Sequence, residues 1–129
     1  MKINFKSTTK QNGESKDIDF ISVLDYEFDD GYHILTFSEP SQGIRNRIEI
    51  SETNINIYAG ATTVYLKYQK EFKFLLDLEG FNWRNQAIEL VSNWFYKNFA
   101  DDLFEFTYTL AKDGQLLGEY TINLTLIKD

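Results

Sequence analysis

Cysteine is absent from the chain, which removes disulfides, thiolate nucleophiles and cysteine-ligated zinc together. Histidine occurs once, at His33, so neither a multi-histidine metal site nor a relay with a second imidazole can be built. Proline occurs only at Pro40, and no Pro-rich or Gly/Ser-rich stretch marks a linker. Basic residues are outnumbered 13 to 20, giving a formal charge of -7 with no basic block, the wrong sign for holding phosphate backbones or anionic lipid. Nucleic acid and membrane are therefore not expected partners. Long apolar runs are also missing. The opening "MKINFKSTTKQ" alternates apolar with polar residues where a signal peptide or span would need continuity, so a cytoplasmic protein is expected. No glycine-rich phosphate cradle, nucleophile elbow or zinc spacing appears, and no cofactor or metal is expected.

What the chain has in quantity is apolar and aromatic side chains, 43% and 16% of its 129 residues. That is enough for one core, and the length suits a single domain over residues 1–129. The apolar residues recur with period two. In "GEYTINLTLIKD", Tyr120, Ile122, Leu124 and Leu126 share one face and Thr121, Asn123 and Thr125 the other, the pattern of a half-buried antiparallel strand. The same alternation runs through Ile18 to Phe28, Ile48 and Ile50, Ile55 and Ile57, Val64 to Tyr68, Phe72 to Leu78, and Phe104 to Leu110. Turn residues separate these runs at intervals of about ten, with Asn12-Gly13, Asp30-Gly31 and Asp113-Gly114 supplying the positive φ that tight hairpins require. So many one-faced strands are best satisfied if the sheet curls and closes. The fold expected is all-β, an antiparallel up-and-down barrel of about 8–10 strands, with a flattened β-sandwich as the alternative. Residues 84–99 fit both a helical stripe and a strand, and the period alone does not separate the two.

Three segments carry a family likeness. "DGYHILTFSE" from Asp30 to Glu39, "RNRIEISETNINIYAG" ending at Gly60, and "FEFTYTLAKDGQLLGEYTINLTLI" from Phe104 resemble the YwiB-like family of small uncharacterised bacterial proteins. The resemblance implies a calycin-type, lipocalin-like β-barrel and favours strand over helix for residues 86–97. It brings no established activity with it.

Candidate chemistry is sparse. The pairs Asp29-Asp30 and Asp101-Asp102 fall where the chain turns, and neighbours on a strand point to opposite faces, so neither pair can act as acid and base across one substrate. An acid–base role is left to His33 or Glu39 with Tyr108. His33 faces inward if Leu35 and Phe37 do, and is solvated if Tyr32 and Ile34 face inward instead. Arg45 and Arg47, offset by one from Ile48 and Ile50, point outward by parity.

The interior is expected to be packed with aromatics, leaving a modest pocket at one mouth. The leading expectation is a non-catalytic binding module for a small apolar or aromatic ligand, with Trp83, Trp94, Tyr96 and Tyr108 as ligand-binding residues. The alternative is a protein-interaction or homodimerising module that buries an exposed aromatic patch around Trp94, Phe95 and Phe99.

Overall fold

The computed structural model describes residues 1–76 and 88–129. These form eleven strands: β1 (Lys2–Gln11), β2 (Glu14–Val23), β3 (Asp25–Asp29), β4 (Tyr32–Ser38), β5 (Arg45–Ile50), β6 (Asn54–Ala59), β7 (Thr62–Lys67), β8 (Glu71–Leu76), β9 (Ile88–Ala100), β10 (Leu103–Lys112) and β11 (Gln115–Ile127). Every ladder between them is antiparallel. The three dipeptides that signalled hairpins do what their chemistry permits. Asn12-Gly13 (φ 51° and 77°), Asp30-Gly31 (51° and 83°) and Asp113-Gly114 (52° and 76°) each hold both residues at positive φ, matching a tight turn to the right-handed twist of its strands.

Two sheets result, one ordered β2-β1-β11-β10-β9-β8 and the other β3-β4-β5-β6-β7. Read around the molecule, the spatial order is the sequence order, with β11 returning to pair with β1 from Lys2↔Ile127 to Lys10↔Glu119. The meander expected from the sequence is therefore present. Pairing is interrupted at two seams, so the sheets face each other as a flattened sandwich and do not close into one hydrogen-bonded barrel.

At the first seam the chain itself crosses over. The alternation from Ile18 to Phe28 reads as one strand, but it is two, broken at the buried Leu24, whose N–H bonds to the carbonyl of Met1 at 2.9 Å. This break takes the strand count past ten. Ser22 Oγ donates to the Ser38 carbonyl across the same seam at 2.8 Å. At the second seam Gln69, at φ 58°, donates its N–H to the Trp94 carbonyl at 2.7 Å. The buried Ser92 hydroxyl donates to the Tyr65 carbonyl at 2.7 Å, so a polar group in an apolar layer is satisfied and ties β7 to β9.

The core lies between the sheets. Ile3, Phe106 and Leu124 from one sheet meet Leu35, Ile48, Ile50 and Leu66 from the other. Residues 88–100 are strand, which decides against a helix there; residues 84–87, with Arg84, lie outside the described residues.

β9 contains the irregularity on which the site depends. Against β10, Tyr108 pairs with Trp94 but Thr107 pairs with Tyr96, leaving Phe95 as an extra residue in a β-bulge. The alternation changes phase at that point. Leu90, Ser92 and Trp94 are buried before it; after it Phe95 and Tyr96 are both exposed, at 45% and 43%, and Lys97 and Phe99 turn inward in their place. The Trp94 indole N–H, which could not otherwise be buried without cost, donates to the Tyr96 carbonyl at 2.8 Å.

Trp94 is fully buried among Tyr68, Phe99 and Phe106. Replacing it with alanine leaves a cavity at the joint of both sheets and an unpaired Tyr96 carbonyl. Urea unfolding of Trp94→Ala should show a loss of about 3–5 kcal/mol.

Candidate functional site

A cleft of about 540 Å³ opens at one end of the sandwich, where Met1 and four further segments converge. The β3–β4 hairpin contributes Tyr26, Phe28 and His33. The turn between β5 and β6 contributes Glu52. The hairpin joining β9 to β10 contributes Phe99, Asp101, Asp102 and Phe104, and Leu126 and Lys128 close the side along β11. The wall is aromatic and the rim is charged, mostly acidic.

His33 sits at the centre of the aromatic wall. Leu35 and Phe37 are core residues, so parity turns His33 inward as well. Its ring is 4.9 Å from that of Phe28, edge-on, 5.0 Å from that of Phe104, and 5.9 Å from that of Tyr26. The Tyr26 hydroxyl lies 2.7 Å from Nδ1; with the hydroxyl donating, the neutral imidazole carries its proton on Nε2. Burial among these rings pushes the pKa of His33 below its ordinary value, with the nearby Glu52 carboxylate opposing the shift.

The rim charges are partly matched. Asp102 pairs with Lys128 at 3.3 Å and Glu52 with Lys97 at 3.1 Å. Asp101 has no ion-pair partner among the described residues. Lys97 is held in more than one way. Its ammonium donates to the Glu52 carbonyl and lies over the rings of Tyr68, Phe99 and Trp94, at 4.5, 5.3 and 5.9 Å from their centroids. Such cation–π contacts contribute about 0.5–2 kcal/mol depending on desolvation. The Phe95 bulge brings Lys97 to that position.

The solved structures add one comparison to this geometry. The crystal structure of the ywiB protein from Bacillus subtilis matches over 98% of this chain and 91% of its own, with a TM-score of 0.67 and 13% sequence identity. The chain has the YwiB fold. An uncharacterized protein of Mycoplasmopsis pulmonis (strain UAB CTIP) is 36% identical over 73 residues, which are 55% of this chain. The match spans 58% of that protein's length, less than two-thirds. No family model matches the chain.

On the YwiB fold the residues anticipated as ligand-binding are dispersed. Trp94 is core and does not line the cleft. Tyr108 is also buried, stacked on Tyr120 at 5.0 Å between ring centres, and burial pushes its hydroxyl well above the ordinary range. Tyr96, expected beside Trp94 on the inner wall, lies on the outer surface because of the bulge. There its hydroxyl donates to Glu105 at 3.1 Å, and that bond raises its pKa. Trp83 lies outside the described residues. The interaction patch expected around Trp94, Phe95 and Phe99 is divided by the same bulge, with Phe95 outside, Phe99 inside and Trp94 between the sheets.

The residues that do form the cleft were visible as aromatics but not as a group, since Phe28, His33, Phe99 and Phe104 lie on four separate strands. The proposed acid–base partners are not assembled either. Glu39 is engaged within its own turn, accepting from the backbone N–H of Ser41 and Gln42 at 2.7 and 2.9 Å, and hydrogen bonds from Ser41 lower its pKa. Arg45 and Arg47 are exposed on the outer face, where Arg47 pairs with Glu49 at 2.9 Å. Among the described residues no group of three His, Cys, Asp or Glu side chains could hold a metal ion, and no helix is long and apolar enough to cross a membrane.

The folded state lowers the affinity of His33 for its proton. Above the unfolded value of 6.5 the ring is neutral in both states and its contribution to stability is fully present. As pH falls below that value the unfolded chain takes up the proton first, and stability declines until the folded-state pKa is passed. His33→Gln should remove this segment from a plot of unfolding free energy against pH. An NMR titration of the wild-type ring should give a midpoint below 6.5.

Proposed function

We propose that the protein is a binding module for a small apolar or aromatic molecule, taken up in the cleft between the two sheets. The observation that carries this reading is a 540 Å³ opening whose wall is made of Tyr26, Phe28, His33, Phe99 and Phe104. That volume falls within the range of small-molecule sites, which pair an aromatic lining with a few polar groups. Phe28 is 59% exposed, although an isolated phenylalanine at a hairpin would gain by being covered. A ligand lying against Phe28 and Phe104 would remove that apolar surface from water. His33 and Tyr26 would orient it, since the imidazole and the phenol are polar groups set in the aromatic wall.

The reading is one of binding rather than catalysis, because among the described residues the cleft presents a single imidazole whose side-chain partner is the Tyr26 phenol, and the Ser51 hydroxyl that also lines it is engaged with the backbone of Asn54. We also place the chain in the YwiB-like family and its calycin-type architecture. The full-length likeness to the ywiB structure and the unbroken cyclic strand order support that placement. A cytoplasmic location is part of the same proposal.

A thermal-shift screen of small aromatic compounds tests the binding reading, because a ligand that binds only the folded state raises the melting temperature by mass action. Compounds that stabilise the wild type should lose at least fivefold in affinity in Phe28→Ala, a truncation of an exposed side chain that leaves the core untouched. Equal affinity in both proteins would count against the cleft.

A further inference from the structure

We propose that the cleft selects ligands carrying an ammonium group on an apolar body. This rests on the cleft being a small-molecule site and adds the charge class of its ligand. Two independent features of the same wall point to it.

The first is the charge at the rim. Of the three carboxylates lining the opening, Glu52 and Asp102 are each answered by a lysine, while Asp101 is not, among the described residues. An incoming cation therefore finds an unmatched carboxylate. Among the described residues an incoming anion finds no unpaired lysine or amino group on the lining, since Lys128 is engaged by Asp102 and the Met1 ammonium by Asp129, while burial lowers the affinity of His33 for a proton. The chain's overall charge of -7 acts in the same direction at longer range.

The second feature is that the protein already holds an ammonium beside this wall. Lys97 lies over Tyr68, Trp94 and Phe99 while its nitrogen meets the Glu52 carboxylate, the combination of aromatic faces and an acid that recognises ammonium ligands generally. Phe99 and Glu52 belong both to that arrangement and to the lining of the cleft. The cleft repeats the pattern with Phe28, Phe104 and Tyr26 as the faces and Asp101 as the acid. Nothing of the chain's own occupies that second position among the described residues.

Three probes with one aromatic body separate charge from shape: 2-naphthylmethylamine, 2-naphthylmethanol and 2-naphthylacetate. Binding to the full chain is followed near neutral pH by the NMR shifts of Phe28, His33 and Phe104. The amine should bind about tenfold more tightly than the alcohol, and the acetate more weakly than either. The amine's advantage should shrink as salt is raised, as it must for an exposed charge pair, and most of it should disappear in Asp101→Asn. Asp101 is exposed in a hairpin, so that variant should fold; the salt series in the wild type gives the same information without it. If the alcohol binds in the cleft as tightly as the amine, or Asp101→Asn keeps the full preference, the ammonium proposal fails and the cleft reading stands. If none of the three shifts the cleft resonances, both fail together.

Discussion

The pairing of β1 with β11 is the constraint on which the rest of the molecule depends. Most other ladders join neighbours in sequence and need only a short turn, whereas this one brings together residues more than a hundred positions apart. Without it the meander would be an open ribbon with two more free edges and no reason to fold its apolar faces against each other. With it, Ile3 and Leu124 enter the core from the middle of a continuous sheet. The pairing also carries Leu126 and Lys128 to the end of the sandwich where the cleft opens. A topology dominated by such non-local closure folds slowly, because loop-closure entropy must be overcome before the contacts can repay it.

The two seams divide the labour between stability and access. At the β7–β8 seam, backbone hydrogen bonds to Trp94 and the Ser92 hydroxyl draw the sheets together, and the bulkiest core side chains gather nearby. At the β2–β3 seam the chain passes between sheets through Leu24 alone. The short strand β3 beyond it is exposed along its length and offers Tyr26 and Phe28 to the opening. A sandwich held firmly along one side and lightly along the other leaves space at the light side, and the aromatic cleft includes residues of β3.

Much of this was legible in the sequence, for reasons that also explain what was not. Strands such as β10 and β11 bury their apolar face, so their apolar alternation maps onto burial; Phe104, Phe106, Tyr108 and Leu110 are all inside. The Asn-Gly and Asp-Gly hairpins announce themselves because few other residues tolerate their backbone. Parity tied His33 to Leu35 and Phe37 but left open which face of β4 is inward, and the lining of the cleft decides it. The break at Leu24 was hidden because the apolar alternation continues across it, and the change of sheet lies in tertiary contacts. The bulge at Phe95 was hidden because the extra residue stands in a run of aromatics, where a phase shift replaces one ring with another. Misplacing Tyr96 followed from that. A pocket at one end was expected, but its lining could not be read, since it is assembled from segments that share no local pattern.

The bulge also has a consequence for how this protein could diversify. A strand of thirteen residues would normally have one register, in which a change at one end is felt as a misfit at the other. Phe95 works as a dislocation that lets the two halves of β9 obey separate rules. Leu90, Ser92 and Trp94 answer to the packing between sheets, and Lys97 and Phe99 answer to the end of the sandwich where molecules could enter. Substitutions beyond the dislocation can reshape that end while the interior keeps its fit, giving the fold a part it can vary and a part it must keep.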